Sequence, residues 1–321
     1  MLRAFDSPIP HDGYRWWYID VVSDDGQHGL TIIAMIGSVF SPYYAHARRR
    51  ASTDPRNHCA LNVALYQRHR GRWALTERGR EDLHTSADHL RIATSSLRWE
   101  QDQLVVDIDE RCAPWPRRLR GTLRLDGPFR EDLCFALDPA GRHQWGPIAP
   151  ATRAHLNLDM PDVRWSGSAY LDSNAGDEPL EKAFRRWHWS RHPAPDGSTE
   201  VHYDVDLRDG GQTLLALRIP NQGPALGLPA SQREALPSTG WQVTRASRFG
   251  TTPTRVVRTL EDTPFYARSL LQTGPATLVM HESLDLDRFR QRWVQCLLPF
   301  RMPRVASGEW PARLLRGFGS R

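Results

Sequence analysis

The sequence predicts an all-β protein that consists of two antiparallel barrels. Twenty-three glycines and 24 prolines divide the 321 residues into short segments. Many of these segments alternate polar and apolar residues or are rich in Val, Ile, Thr and aromatic residues, which is typical of strands. About sixteen segments have this pattern and few have helical periodicity, so the strands are numerous enough for two small barrels.

A boundary between two domains is predicted near residues 173–179, where Ser, Asn, Gly, Asp and Pro cluster and the strand pattern lapses. We therefore expect a first barrel over residues 1–175 and a second over residues 176–300. A basic tail follows over residues 301–321. Both halves open with an aromatic strand, WWY in the first and WHW in the second, which is a weak sign of an internal repeat.

One segment has the periodicity of a helix. In the segment from Leu286 to Leu298, apolar residues recur at helical spacing with arginines between them, and Pro299 follows. The sequence therefore predicts a C-terminal helix that packs over the mouth of a barrel.

Composition argues against a membrane-spanning or secreted protein. Charged residues make up 25% and hydrophobic residues 40% of the chain, which is typical of a globular protein. No apolar run reaches the eighteen or so residues that a membrane span requires. The first twenty residues contain acids and prolines where a signal peptide would be apolar, so we expect the chain in the cytoplasm.

Neither a metal site nor a nucleic-acid site is predicted. The four cysteines lie far apart without a Cys-x-x-Cys pair, and the thirteen histidines form no cluster with metal-ligand spacing. The formal net charge is +5, but basic residues alternate with acids along most of the chain and no nucleic-acid-binding module accompanies them. We therefore expect no metal and no nucleic acid.

Several long blocks stand in order along the chain: GYRWWYIDVVSDDGQHGLTIIAMIGSVFSPYYAHARRR, DPRNHCALNVALY, TERGR, HQWGPIAP, WSGSAYLDSNAGDEPLE, RRWHWSR and LLPFRMPR. In this order they closely resemble the bacterial carotenoid 1,2-hydratases, also called hydroxyneurosporene synthases. The resemblance covers most of the chain and is far more specific than a short motif.

The resemblance implies two lipocalin-like barrels in a protein of photosynthetic bacteria. It implies addition of water across the 1,2 double bond of acyclic carotenoids such as lycopene and neurosporene, without a metal or an organic cofactor. The residues regarded as functional in the family match His143 and Trp145 in HQW, and Tyr170 and Asp172 in YLD. Asp172 is the proton donor that the resemblance implies.

Hydration of an alkene requires the same types of residue. Water adds only after an acid protonates the less substituted carbon and leaves a tertiary cation at C1. Burial can raise the pKa of an aspartic acid enough for this role, and Asp172 is the expected donor. Aromatic faces stabilise a cation by about 1–2 kcal/mol each, a role expected of Trp145 and Tyr170. His143 would either keep Asp172 protonated or accept a proton from the attacking water.

The same four residues also have structural interpretations. An aspartate after a strand often forms a turn or a cap, and His143 and Trp145 would fit a buried core pair. Further residues are candidates to line a tunnel for the polyene: Trp16, Trp17, Tyr18, Tyr43, Tyr44, His58, Trp187 and Trp189. Barrel core, or for His58 a polar plug, is the competing interpretation, because only alternate side chains of a strand face one cavity.

Two other functions stay open at this stage. A lipocalin-type carrier would bind a carotenoid or another lipid without an acid near its end. A cyclase or pericyclase acting on a polyene would share the fold. The hydratase would collect its apolar carotenoid substrate at the surface of the inner or photosynthetic membrane. We expect the 286–298 helix and the basic, aromatic tail to provide that contact, unless the helix packs on the barrel and the tail is disordered.

Overall fold

The computed structural model describes residues 2–68, 71–229, 231–249, 254–274 and 277–305. Within these ranges the chain consists mostly of strands, which confirms the predicted all-β class. It forms two compact units. Unit 1 comprises residues 1–127 and 153–169 together with the C-terminal residues from Leu297, and unit 2 comprises residues 128–152 and 170–296.

Unit 1 is a nearly closed antiparallel barrel sheet. One short helix, α1, begins at Pro42 after Ser41, whose side chain accepts hydrogen bonds from the backbone N–H groups of Tyr43 and Tyr44. The elements are β1 Tyr14–Ser23, β2 Gly29–Ile36, α1 Pro42–Arg48, β3 Cys59–Tyr66, β4 Arg72–Arg78, β5 Leu83–Thr85, β6 His89–Ile92, β7 Ser95–Glu100, β8 Gln103–Arg111 and β9 Arg118–Asp126, with 3-10 turns at Pro55–Asn57 and Arg80–Asp82.

Two long strands contribute to both units. They are β11 His143–Met160 and β12 Asp162–Gly176, and the short β10 Phe135–Ala136 pairs with the start of β11. The sheet of unit 1 has the order β4-β3-β2-β1-β12-β11-β9-β8-β7-β6-β5. In this sheet buried and exposed residues alternate along β11 from residue 154 to 159, whereas residues 145–150 of the same strand are all buried. The change of pattern coincides with the change of unit.

The two units differ from the division expected at residues 173–179. The chain leaves unit 1 after Gly127 and again after Ala169, because β11 and β12 run through both units. Ser173 and Asn174, which suggested a linker, are buried strand residues with 0% and 3% exposure. Turn-forming residue types therefore occupy the interior of a strand here. For this reason the local composition predicted a linker where the structure has a strand.

Unit 2 contains a seven-stranded sheet of order β16-β15-β14-β13-β21-β20-β19 and a two-stranded sheet of β17 and β18. Its remaining elements are α2 Leu180–Ala183, β13 Phe184–Pro193, β14 Thr199–Leu207, β15 Gln212–Ile219, β16 Leu226–Gly227, β17 Glu234–Leu236, β18 Arg245–Ser247, β19 Thr254–Asp262, β20 Tyr266–Thr273 and β21 Thr277–Asp285. Most residues of the central strands β13, β14 and β21 are buried.

The single helix expected from Leu286 to Leu298 is divided. The structure has α3 Leu286–Phe289, α4 Arg292–Leu297 and a 3-10 turn at Leu298–Phe300. The Asp285 side chain caps α3 by accepting a hydrogen bond from the backbone N–H of Arg288 at 3.0 Å. Between the two helices the backbone N–H of Gln291 bonds to the carbonyl of Arg288, a tighter turn than that of an α-helix.

The expected basic tail begins with residues that bind unit 1. The Arg301 guanidinium lies 4.8 Å from the ring centroid of Trp73, and Arg304 forms an ion pair with the buried Glu77. The backbone N–H of Val305 donates to the carbonyl of Glu77 at 3.1 Å. These arginines are therefore engaged with β4, and the part of the tail over residues 306–321 lies outside the described residues.

Gly167 of β12 is expected to be essential for the stability of unit 1. A Cβ atom at this position would lie 2.0 Å from the carbonyl oxygen of Val22 in β1, so any larger residue must push the backbone apart. The substitution Gly167→Ala should lower the free energy of unfolding by roughly 1–3 kcal/mol, measured by urea denaturation. Gly227→Ala is the matched control, because nothing lies within 4 Å of its Cβ position. Equal stability of the two variants would contradict this account.

Candidate active site

Three of the four predicted catalytic residues form one hydrogen-bonded group in unit 2. The carboxyl group of Asp172 is buried, with 3% exposure. Its Oδ2 accepts a hydrogen bond from Trp145 Nε1 at 2.7 Å and another from the Tyr170 hydroxyl at 2.9 Å. Tyr170 and Asp172 alternate along β12 and share one side of it, while Trp145 approaches from β11. Both donors are fully buried.

Aromatic rings surround this group. The Tyr170 ring lies 5.5 Å from the ring of Trp189, and the Trp145 ring lies 5.8 Å from that of Tyr203. Trp187 is 5.9 Å from the same Tyr203 ring. Trp187 and Trp189 are two residues apart on β13, so they share one face of the sheet. The predicted pair from WHW therefore belongs to the same cluster as Trp145 and Tyr170.

His143 is buried on β11, two residues before Trp145. Its Nε2 lies 3.7 Å from Glu178 Oε1, beyond the usual length of a hydrogen bond, and its ring lies 4.5 Å from Phe184. Burial lowers the pKa of His143 below its ordinary value, and the carboxylates of Asp138 and Glu178 partly oppose this effect. At neutral pH the imidazole is therefore neutral and able to accept a proton.

Two residues of the cluster were not predicted from the sequence. The Tyr203 hydroxyl of β14 accepts a hydrogen bond from Asn174 Nδ2 at 3.4 Å. Burial raises the pKa of Tyr203 well above its ordinary value, and the nearby Asp172 raises it further. The alternation in VHYDV indicates that Tyr203 and His202 face opposite sides of β14. It does not indicate which residues of other strands lie beside Tyr203.

The opposite face of the same sheet is polar. His188 Nδ1 lies 2.9 Å from Ser283 Oγ, and the carboxylate of Asp204 pairs with two arginines, Arg233 at 2.6 Å and Arg248 at 2.7 Å. His202 is also buried on this face. The strand alternation that places aromatic side chains beside Asp172 thus places buried histidines and an ion-pair network behind them.

The other predicted binding residues belong to unit 1. Trp17 donates a hydrogen bond to the backbone carbonyl of Leu2 at 3.0 Å, and the Tyr44 hydroxyl donates to that of Gly13 at 2.7 Å. These contacts hold both side chains in the interior of unit 1. The predicted binding residues that lie in unit 1 are Trp16, Trp17, Tyr18, Tyr43, Tyr44 and His58. A role for them in binding a polyene stays a prediction.

His58 has a structural partner in unit 1. Its Nδ1 lies 2.8 Å from Glu77 Oε1, and its ring stacks on Tyr44 at 4.6 Å. This arrangement fits the polar plug that was the alternative interpretation of His58.

Within the described ranges, no three His, Cys, Asp or Glu side chains are grouped so that they could hold a metal ion.

Residues 32–311 match the family model described as carotenoid hydratase CrtC. The chain is 52% identical over 306 residues to an acyclic carotenoid 1,2-hydratase of Thiocapsa roseopersicina, an alignment that covers 94% of this chain and 75% of that protein. It is 48% identical over 311 residues to the acyclic carotenoid 1,2-hydratase of Rubrivivax gelatinosus, with coverage of 94% and 76%.

Two solved structures share the fold at low sequence identity. One is a protein described as AttH from Nitrosomonas europaea, with a TM-score of 0.59, 16% identity and coverage of 84% of this chain and 91% of that one. The other is CghA with Sch210972, with a TM-score of 0.55, 12% identity and coverage of 88% and 96%. At these identities the likeness concerns the fold alone.

Unit 2 is expected to lose stability as the pH falls from about 6.5 to about 4. Burial lowers the pKa of both His188 and His202 from the ordinary 6.5 to about 4. Between these values the unfolded chain binds protons that the folded chain does not, so the free energy of unfolding decreases. One pKa unit corresponds to about 1.4 kcal/mol for each histidine.

Urea denaturation between pH 7.5 and pH 4.5 measures this decline. The variant His188→Asn should show a shallower decline than the wild type, because one of the proton-binding groups is absent. His84→Asn, at an exposed histidine of β5, should retain the wild-type slope. An unchanged slope in His188→Asn would show that this histidine does not cause the acid sensitivity.

Proposed function

This chain belongs to the carotenoid hydratase family, and we propose that it adds water across the terminal 1,2 double bond of an acyclic carotenoid such as lycopene or neurosporene. The observation that supports this proposal best is the buried carboxyl group of Asp172, held by Trp145 and Tyr170 among aromatic rings. The two relatives named above are described as acyclic carotenoid 1,2-hydratases. We propose that no metal or organic cofactor takes part.

The reaction begins with protonation of the alkene by Asp172. Both hydrogen bonds from the protein end on Oδ2, so in the neutral acid Oδ2 is the carbonyl oxygen and the proton resides on Oδ1. The π electrons take this proton to form a C–H bond at C2, which leaves a tertiary cation at C1. Negative charge then develops on the carboxyl group, and the hydrogen bonds from Trp145 and Tyr170 become stronger. They therefore stabilise the transition state more than the ground state.

The cation forms within an aromatic environment. The rings of Trp145, Tyr170 and Trp189 are the candidates to face C1, and each well-placed ring would contribute about 1–2 kcal/mol. That amount corresponds to an acceleration of about tenfold to thirtyfold per ring. The charge-assisted hydrogen bonds to Asp172 and the exclusion of bulk water must provide the larger part of the acceleration.

Capture of water completes the reaction. The water oxygen forms a bond to C1 and then loses one proton. This proton restores the acid form of Asp172, either directly or by way of His143, whose lowered pKa keeps it neutral. The net reaction converts one alkene and one water to one tertiary alcohol, and it needs no oxidant or reductant.

A non-catalytic carrier and a cyclase or pericyclase are the alternatives. A carrier would gain nothing from a buried carboxyl group with two donors on one oxygen, because such a group is costly to desolvate. A cyclase would need the same acid but would exclude water from the cation. The function described for the relatives at 52% and 48% identity favours hydration over both.

Replacement of Asp172 by Asn is expected to lower the turnover number by a hundredfold or more, because general acid catalysis typically contributes at least that much. The assay measures products heavier by one water after incubation with lycopene or neurosporene in detergent. Asparagine keeps the shape of the side chain, so the melting temperature should remain close to that of the wild type. Asp159→Asn, at an exposed position of β11, is the matched control. More than a tenth of wild-type turnover in Asp172→Asn would rule out this role.

We propose that the protein contacts the inner or photosynthetic membrane peripherally to collect its substrate. Within the described ranges, no helix is long and apolar enough to span a bilayer. In unit 2 the rings of Trp241 and Trp293 stack 6.2 Å apart and remain 44% and 43% exposed. Arg290 and Arg292 are exposed close to Trp293 in the chain. Exposed tryptophans with flanking arginines suit an anionic membrane surface.

Simultaneous replacement of Trp241 and Trp293 by Ala should weaken binding to phosphatidylglycerol vesicles by roughly tenfold or more. Each aromatic side chain that becomes buried in the membrane surface contributes on the order of 1–2 kcal/mol to binding. Sedimentation with vesicles at low and high salt measures this, and high salt should weaken wild-type binding. Trp115→Ala, at an exposed tryptophan of unit 1, is the control. A truncation after Arg304 tests the tail separately. Binding that is indifferent to salt, lipid charge and both tryptophans would contradict the proposal.

A further inference from the structure

The pair of Asn174 and Tyr203 lies beside the group already assigned to protonation. Tyr170, Asp172 and Asn174 alternate along β12, so their side chains share one side of the strand. Asn174 donates to the Tyr203 hydroxyl at 3.4 Å. Asn174, which holds the Tyr203 hydroxyl, is thus the next residue after Asp172 on that side of the strand.

Tyr203 is held firmly in this position. Its ring meets the rings of Trp145 and Trp187 edge to face, at interplanar angles of 70° and 68°. Across the sheet, Tyr203 is the direct partner of Trp189, which contacts Tyr170. The side chain is 4% exposed. An aromatic side chain that serves only to fill space would not need a hydroxyl here.

The hydroxyl of Tyr203 differs from that of Tyr170 in its hydrogen bonds. Tyr170 donates its proton to Asp172. Tyr203 accepts from Asn174, and in the part of the chain that the structure describes its own O–H proton has no acceptor. Because burial keeps the phenol protonated, and the carboxylate that Asp172 becomes after giving up its proton acts in the same direction, the group can donate a hydrogen bond but is not a base.

We propose that Tyr203 positions the water that captures the C1 cation, and that Asn174 orients the Tyr203 hydroxyl. The O–H of Tyr203 donates to one lone pair of the water oxygen, and the second lone pair forms the bond to C1. The water proton leaves as described for the proposed function, on which this inference rests. Tyr203 itself neither gains nor loses a proton.

A cation without a positioned water has other outcomes. It loses a proton from C2 and returns to the alkene, or it loses one from a methyl group on C1 and the double bond moves to the chain end. In D2O the acid delivers deuterium, so the first outcome labels recovered substrate at C2. The ratio of labelled and isomerised alkene to hydrated product therefore measures how efficiently water captures the cation, independently of how fast it forms.

The experiment compares initial rates of hydration and of these alkene products in D2O for wild type and Tyr203→Phe, with lycopene in detergent and analysis by mass spectrometry. Phenylalanine keeps the ring contacts and removes the hydroxyl. We expect hydration to fall by tenfold to a hundredfold and the ratio of alkene products to hydrated product to rise at least tenfold. Asp172→Asn should lower both rates together. Tyr266→Phe, which removes a buried phenol hydroxyl elsewhere in the same sheet, should keep the wild-type ratio.

Two results would overturn the inference or separate it from the proposed function. A wild-type ratio in Tyr203→Phe, whether or not the overall rate falls, would show that Tyr203 does not position the water. Wild-type protein that produces neither alcohol nor labelled alkene would refute the proposed function instead. A folding defect is recognised by a lowered melting temperature, and the ratio remains informative because it is measured on the molecules that react.

Asn174 provides an independent test of the orienting role. Asn174→Leu should shift the ratio in the same direction as Tyr203→Phe but less far, because the hydroxyl is still present. In a Tyr203→Phe background the same substitution should change the ratio by less than about twofold, as expected for residues that act as one unit. Additive effects in the double variant would show that Asn174 does not act through Tyr203.

Discussion

The proposed chemistry of this site depends on two hydrogen bonds that end on one oxygen of a buried carboxyl group. Burial penalises a charged Asp172, whereas the donors Trp145 and Tyr170 favour the charged form by about 1.5–3 kcal/mol each. The two effects oppose one another in the resting enzyme. In the proposed reaction they act in sequence, because burial favours the acid before the proton leaves and the donors favour the carboxylate afterwards. A single exposed aspartate would provide neither effect.

This arrangement depends on β11 and β12 being buried on both faces within unit 2. Trp145 belongs to β11 and Asp172 to β12, and each strand continues into unit 1 with a different pattern of burial. Gly167 permits β12 to approach β1 closely in unit 1, three residues before Tyr170. The part of β12 that contains Asp172 is therefore continuous with a tightly packed segment of unit 1.

Strand alternation divides the side chains of the unit 2 sheet between two faces, and the face beside Asp172 also contains Glu282, the direct partner of Trp189. Trp187, Trp189 and Tyr203 lie on the face beside Asp172, and His188 and His202 lie on the other. Acid sensitivity of the fold is therefore expected from residues outside the proposed catalytic group. A loss of activity at low pH can have two origins, and unfolding measurements on the His188 variant distinguish them.

The sequence by itself determined the all-β class and the family. It also determined the relation of Tyr170 to Asp172, because residues two apart on a strand share a side. The sequence likewise identified Trp187 and Trp189 as candidates to line a tunnel for the polyene. All of these follow from local alternation or from long colinear blocks. Only the tertiary structure decided that Trp145 and Tyr170 donate to the same oxygen and that Tyr203 lies beside them.

The tertiary structure also decided the bounds of the two units and the division of the C-terminal helix. The contact between Asn174 and Tyr203 spans 29 residues, and it depends on how β12 approaches β14. The side of a strand that a residue faces is a local property with a period of two, so it can be inferred from the sequence. The residue that it meets on another strand depends on pairing and register, which long-range packing selects.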